Sequence, residues 1–112
     1  MIRPRLRRRL VLEGVSEVAD GLGGLVRSWV VLGTHWAEVT PSAGREAEGE
    51  AFPLSSVPLR ITVRGTAVGT PSRPVAGQRF RDGTRVYAIL AVTERDPDGR
   101  YLVCAAREEE PA

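Results

Sequence analysis

Leu59-Arg60-Ile61-Thr62-Val63-Arg64 decides the fold class. Leu59, Ile61 and Val63 fall on one side and Arg60, Thr62 and Arg64 on the other, the period-two pattern of a half-buried strand. Downstream, Arg85–Thr93 is apolar on both faces and is expected to be central, and Tyr101–Ala106 is also largely apolar. Between these two, Asp96-Pro97-Asp98-Gly99 carries proline at the second turn position and glycine at the fourth, which predicts a hairpin. Arg81-Asp82-Gly83-Thr84 carries an Asp-Gly signal and should reverse a short strand at Gln78–Phe80 into the next one. Upstream, Leu6–Leu12 puts Leu6, Leu10 and Leu12 on one face with Arg8 breaking the row, as in a half-buried or edge strand. Gly14–Leu25 reads as a loop, with room for a helical turn or two over Val15–Asp20. Val26–Val39 reads as a strand with a bulge or bend at Gly33.

Twelve glycines and eight prolines punctuate these short segments. The pattern predicts an all-β chain: a small β-barrel or sandwich of about five to seven strands, with no compelling helix. A long connection, residues 41–58, separates the second and third main strands. It holds Gly44, Gly49, Pro53 and three glutamates, Glu46, Glu48 and Glu50. Compact domains rarely keep such a connection unless it functions or is disordered. Residues 109–112 read as a short C-terminal tail.

Trp29 and Trp36, the only two tryptophans, bracket the apolar run Val30-Val31-Leu32. Gly23 and Gly24 permit a tight, positive-φ entry into this strand, and Pro41 helps to end it. Aromatic residues so placed are expected to anchor a core or an interface. Residues seven apart on an unbroken strand face opposite ways, so one tryptophan is expected in the core and the other at a subunit or loop contact; a bulge at Gly33 would put both on one face.

At 112 residues the chain is expected to form one domain, residues 1–112, with a single modest core. Sixteen basic residues against fourteen acidic give a formal net charge of +2. Every basic residue is arginine, which a GC-rich genome explains without any functional argument. Cys104 is the lone cysteine; this excludes an internal disulfide framework and fits a reducing compartment. No apolar stretch approaches a membrane span, and the basic N-terminus leads into no signal-peptide core. The expected site of synthesis and assembly is the cytoplasm, with no membrane partner.

Catalysis has little support. His35 has no second ligand or nucleophile at useful spacing, and Cys104 reads as a small core residue rather than a reactive thiol. Gly21-Leu22-Gly23-Gly24 lacks the Lys-Ser/Thr of a P-loop. The alternating glutamates read as a solvated face. The chain is expected to be no enzyme, with no cofactor and no metal.

The order Asp20…Gly23-Gly24…Trp29…Trp36-Ala37…Pro41…Gly44-Arg45-Glu46 resembles the head–tail joining proteins of tailed bacteriophages and of gene transfer agents, also called head-closure or stopper proteins. The likeness continues through Leu59–Arg64, Gly77-Gln78-Arg79, Tyr87-Ala88-Ile89 and Leu102-Val103-Cys104…Glu108, and so spans about Leu10 to Glu108. Gly65-Thr66 departs from it, where a bulkier, more polar continuation of the third strand is expected. The resemblance implies a homo-oligomeric ring, sixfold, between a portal-side head–tail adaptor and a tail terminator. Such a ring closes the DNA-filled head, meets the packaged DNA without sequence specificity, and offers the tail its docking platform in the particle neck. It further implies that the 41–58 connection projects into the lumen or onto a neighbour, with Glu46, Glu48 and Glu50 repelling DNA and Phe52 and Leu54 at an apolar tip.

The cluster Arg5, Arg7, Arg8 and Arg9, together with Trp29 and Trp36, supplies the candidates for subunit or partner contact. Arginines on a solvated strand edge deter aggregation or meet an acidic neighbouring subunit. The alternative is a nucleic-acid- or nucleotide-binding β-barrel module using this Arg-rich N-terminus. Arg3/Arg7 or Arg5/Arg9 is similar to the Arg-x-x-x-Arg of PilZ cyclic-dinucleotide receptors, but the companion Asp/Asn-x-Ser-x-x-Gly motif is missing.

Overall fold

A computed structural model describes residues 3–42 and 57–110. Its strands are β1 (Arg8–Ala19), β2 (Leu25–Pro41), β3 (Pro58–Arg64), β4 (Arg79–Asp82), β5 (Arg85–Glu94) and β6 (Tyr101–Glu108). They close into an antiparallel barrel in the order β1-β2-β3-β6-β5-β4. Closure depends on β4, which pairs back onto β1 through Val11–Arg81, Leu12–Phe80 and Glu13–Arg79. Over Val11–Glu13 the N-terminal strand is therefore paired on both sides. Closing a sheet on itself removes edges that would otherwise template aggregation.

The alternating faces deliver the core. Leu10, Leu12, Ile61, Val63, Phe80, Tyr87, Ile89, Leu102 and Cys104 are buried, joined by Ala37 and Ala106. His35 is buried too; its ring N–H donates to the Ser72 carbonyl at 2.7 Å, and the ring meets Phe80 edge-on at 6.0 Å. Burial pushes the Cys104 thiol up to about 12, which leaves it protonated and inert.

The turns follow local chemistry. At Asp96–Gly99 the Gly99 N–H donates to the Asp96 carbonyl at 3.0 Å, while the Asp96 carboxylate accepts from the Arg100 and Tyr101 amides. In the β4–β5 hairpin Asp82 pairs with Arg85, so the two-residue turn is Gly83-Thr84, with Gly83 at φ 62° as a type II′ turn requires. β3 stops at Arg64, and the next residue, Gly65, lets the backbone approach the β5–β6 turn closely. The Gly65 N–H donates to the Arg100 carbonyl at 2.7 Å, and a Cβ at Gly65 would collide with the Gly99 carbonyl. The departure at Gly65-Thr66 is thus where the third strand docks beneath the β5–β6 turn.

Two bulges interrupt the ladders. The β1–β2 register shifts between Leu12 and Glu13, skipping Leu32 on β2, one residue from the expected bulge at Gly33. The β5–β6 register shifts between Ile89 and Ala91, leaving Leu90 exposed.

The largest correction concerns residues 14–25, which do not form a loop. β1 runs on to Ala19 and β2 begins at Leu25, paired all the way from Gly14–Val30 to Ala19–Leu25. The turn is made by Asp20, whose Oδ1 accepts from the Leu22 and Gly24 amides at 2.7 and 3.0 Å. Its positive-φ positions are Gly21 and Gly23, not Gly24. β3 pairs with β2 only over Ala37–Pro41, and β4 leaves β1 at Glu13. The two strands therefore project beyond the barrel as an arm, and the molecule measures 53 × 36 × 23 Å. At the other end of β2, the Ser42 N–H donates to the Pro58 carbonyl at 2.9 Å and ties together the ends of the long connection. Glu46, Glu48, Glu50, Phe52 and Leu54 lie outside the described residues.

Candidate interaction surface

Among the described residues, the arm carries most of the large exposed apolar side chains. Val15, Val18, Leu22, Leu25, Val26, Trp29, Val30 and Val31 are between 39% and 91% exposed. Strand alternation sets Val15, Leu25, Trp29 and Val31 on one face and Val18, Val26 and Val30 on the other. Polar relief is sparse: Arg27 pairs with Glu17 at 2.9 Å on the first face, and Ser16 faces Ser28 on the second. A soluble protein scatters single apolar residues over its surface, but a contiguous two-faced set marks an interaction site.

The root of the arm is tied to the barrel by an ion-pair cluster. Glu13 is buried at 5% exposure, and its Oε1 accepts from Arg79 Nε at 2.7 Å and from Arg81 at 3.1 Å. Arg79 also lies over the Trp29 ring, 4.0 Å from its centroid. A cation held against an aromatic face on one side and a carboxylate on the other is charge-balanced while largely withdrawn from water. Trp29, Arg79, Glu13 and Arg81 thus join β2, β4 and β1 where the arm leaves the barrel.

Neither tryptophan is in the core, contrary to the expectation for one of them. Trp29 is 39% exposed beneath Arg79, and Trp36 is 56% exposed. Trp36 lies between buried His35 and Ala37 and so points outward. Trp29 shares the outward face of Glu13. The bulge at Leu32 offsets the odd spacing and turns both to one side.

The arginine cluster divides. Arg8 has the parity of Leu10 and Leu12, and it closes the barrel end from within. Its guanidinium donates to Asp82 at 2.7 Å and to the Tyr87 hydroxyl at 2.8 Å. The bond to Asp82 raises its pKa, so Arg8 is a structural cation. Arg5, Arg7 and Arg9 are exposed, and Arg9 sits opposite Trp36 on the neighbouring strand. The backbone beneath them is fixed: the Arg5 amide donates to Glu38 at 2.9 Å and the Arg7 amide to the Ala37 carbonyl at 3.1 Å. Beside them, Leu6, Trp36, Arg64, Thr66 and Ser72 line a shallow groove of about 460 Å³.

Among the described residues no group of three or more His, Cys, Asp or Glu is placed to hold a metal ion. Nor is any helix long and apolar enough to cross a membrane. What the site offers is contact: an apolar arm and an exposed Arg9/Trp36 patch.

The model of the phage head completion protein family matches residues 1–109. The chain belongs to that family. A chain from the virion of a native gene transfer agent particle is 50% identical, with a TM-score of 0.78 over 98% of this chain and 100% of that one. The solution structure of protein SF1141 from Shigella flexneri 2a, 23% identical, superposes with a TM-score of 0.74 over the full length of both chains and shares the fold. No curated protein sequence matches.

The arm was missed in the sequence although its signals were present. Val15-Ser16-Glu17-Val18-Ala19 and Leu25-Val26-Arg27-Ser28-Trp29 are matched in length about the turn residues Asp20–Gly24, which is a hairpin signature.

Proposed function

We propose that this family member is a structural head-closure component of a phage or phage-like gene transfer particle. It is not an enzyme, and it assembles as a ring, sixfold, in the particle neck. The ring sits between the portal-side adaptor and the tail terminator, closes the DNA-filled head and receives the tail. The observation that carries this reading is the β1–β2 arm: it spends apolar surface on both faces without covering it within the subunit, as a part built for assembly does. Family membership and the 50% identity to a gene transfer agent virion chain support it. The exposed Arg5, Arg7 and Arg9 beside Trp36 supply a second contact, suited to an acidic partner surface. On sequence alone, the stretch holding Glu46, Glu48 and Glu50 is assigned to the channel, where negative charge repels DNA phosphates, with Phe52 and Leu54 against neighbouring copies.

The test is removal of the protein from a particle-producing cell. Filled heads that lack tails or leak DNA are expected, and complementation with the wild-type chain should restore tailed particles. Normal tailed, DNA-filled particles without the protein would overturn the proposal.

A further inference from the structure

The β1–β2 arm has two open backbone edges. Beyond Glu13, β1 has no partner on its outer side through Ala19; before Ala37, β2 has no partner but β1, among the described residues. Over the arm this leaves residues 14–19 of β1 and 25–32 of β2 with one edge each unpaired. Natural proteins blunt open edges with proline, inward charges or short length. Here Leu25–Leu32 contains no proline and one charge, Arg27, already paired with Glu17. An isolated two-stranded hairpin with apolar residues on both faces is at best marginal in water. The tip is nonetheless fixed by Asp20 and the root by Glu13, Arg79 and Trp29. The arm is thus held extended and ready to pair.

Its two edges are different surfaces of comparable length on one element. When copies stand side by side about an axis with their arms pointing the same way, β2 of one arm runs inward next to β1 of its neighbour running outward. That arrangement is antiparallel, so it continues the hairpin's own ladder. A contact between two unlike surfaces of identical subunits is heterologous, and it closes a ring where the rotation between neighbours divides a full turn. A single foreign partner would cover one edge or one face; a second copy on each side covers both edges. Each junction would satisfy backbone groups along residues 14–19 of β1 and 25–32 of β2 and would set the apolar side chains of each face beside those of the next arm.

We propose that the arm, residues 14–32, is the joint between neighbouring copies of this chain, adding the open edge of β2 in one copy to the open edge of β1 in the next. The inference rests on the ring reading above and identifies the element that builds the ring.

The experiment places a photo-crosslinking phenylalanine analogue at Val26 and, separately, at Leu90, an exposed apolar position on the barrel that serves as control. Particles are purified and irradiated, and the products identified by mass spectrometry. The expected result is a dimer of the 12.2 kDa chain from Val26, linking to residues 14–19 of a second copy, and no such link from Leu90. Cross-links from Val26 to a different protein, or none in particles that contain the chain, overturn the joint. A chain missing from particles instead overturns the particle reading. The joint is then decided on the purified chain at high concentration, where a Val26 dimer through residues 14–19 sustains it and its absence overturns it.

Discussion

Arg79 stands between Trp29 and Glu13, its guanidinium 4.0 Å from the indole centroid and its Nε 2.7 Å from the carboxylate. Three strands meet at this contact. Glu13 is the last β1 residue paired with β4, Arg79 is the first residue of β4, and Trp29 lies on the part of β2 that has left the barrel. The orientation of the arm is therefore set by a charged stack that is largely buried.

Glu13→Gln should be destabilising. The substitution leaves Arg79, 13% exposed at its side chain, and Arg81 facing a neutral amide. Breaking a buried ion pair costs about 3–5 kcal/mol; the 42% exposure of Arg81 lowers the expectation here to about 2–3 kcal/mol. Urea denaturation followed by circular dichroism measures it. A loss under 0.5 kcal/mol would show that the stack is not a structural anchor.

Replacement of either tryptophan by alanine should cost less than the core value. A buried tryptophan is worth about 3–5 kcal/mol. Trp29→Ala forfeits partial burial and the Arg79 contact, about 1–2 kcal/mol, and Trp36→Ala less than about 1 kcal/mol. Thermal melts of both variants check the order, and a loss of core size at Trp36 would contradict its exposure.

How much the sequence disclosed follows from where contrast existed. Leu59–Arg64 announces its strand because Ile61 and Val63 meet the core while Arg60 and Arg64 meet solvent, although Thr62 between them is buried. The Asp96–Gly99 turn is legible because its hydrogen bonds are local. The arm was hidden by the lack of such contrast: with neither face packed, Val15 and Val18 fall on opposite sides and alternation disappears. Trp29 and Trp36 are equal core candidates in the sequence because aromatics are usually buried, whereas in the fold both face outward and arginine covers one face of the Trp29 ring. Closure of β4 onto β1 joins residues about seventy apart, and no local pattern encodes that pairing. The buried Glu13 shared by Arg79 and Arg81 is invisible for the same reason.

Gly65→Ala should destabilise the barrel although Gly65 lies outside any strand. The added methyl meets the Gly99 carbonyl and would push the β5–β6 turn off Arg64 and Gly65. Overpacking of this kind costs about 1–3 kcal/mol. Gly21→Ala, at φ 82° with open space around it, is strained only locally and should alter the arm tip while the barrel's melting temperature changes less. Amide hydrogen exchange separates the two, with β3 and β6 losing protection only in the Gly65 variant.

Acid should weaken the fold through three carboxylates. The Leu22 and Gly24 amides hold Asp20 below its ordinary 3.8, the Arg100 and Tyr101 amides do the same for Asp96, and Arg85 holds Glu108 below 4.5. A depressed folded pKa means that the unfolded chain binds the proton more readily. The stabilisation is complete above the ordinary values and is lost as pH falls through the lower, folded ones. The melting temperature should therefore be flat near neutrality and fall below about pH 4, modestly because Asp20 is exposed and Asp96 and Glu108 are only half-buried. Constant stability to pH 2 would contradict these bonds.

Arg8 should separate from Arg5, Arg7 and Arg9 by what each does. Arg8 shares the inward parity of Leu10 and Leu12, donates to Asp82 and the Tyr87 hydroxyl, and lies over the Tyr87 ring at 5.7 Å. Arg8→Gln shortens the side chain, removes the charge and leaves the Tyr87 hydroxyl and Asp82 to water at the barrel end. With a third of the Arg8 side chain exposed, the cost should be about 1–2 kcal/mol. Arg5, Arg7 and Arg9 have side chains in solvent, so replacing all three with glutamine should move stability by less than about 0.5 kcal/mol per site. If they meet an acidic partner, that triple variant should instead be poorly incorporated into tailed particles, and raised salt should weaken the wild type in the same way. Melting temperature and particle incorporation, measured on both variants, give a crossed pattern: Arg8→Gln loses stability first, the triple variant loses assembly. A triple variant that melts early yet assembles normally would reverse the assignment and make those three arginines structural.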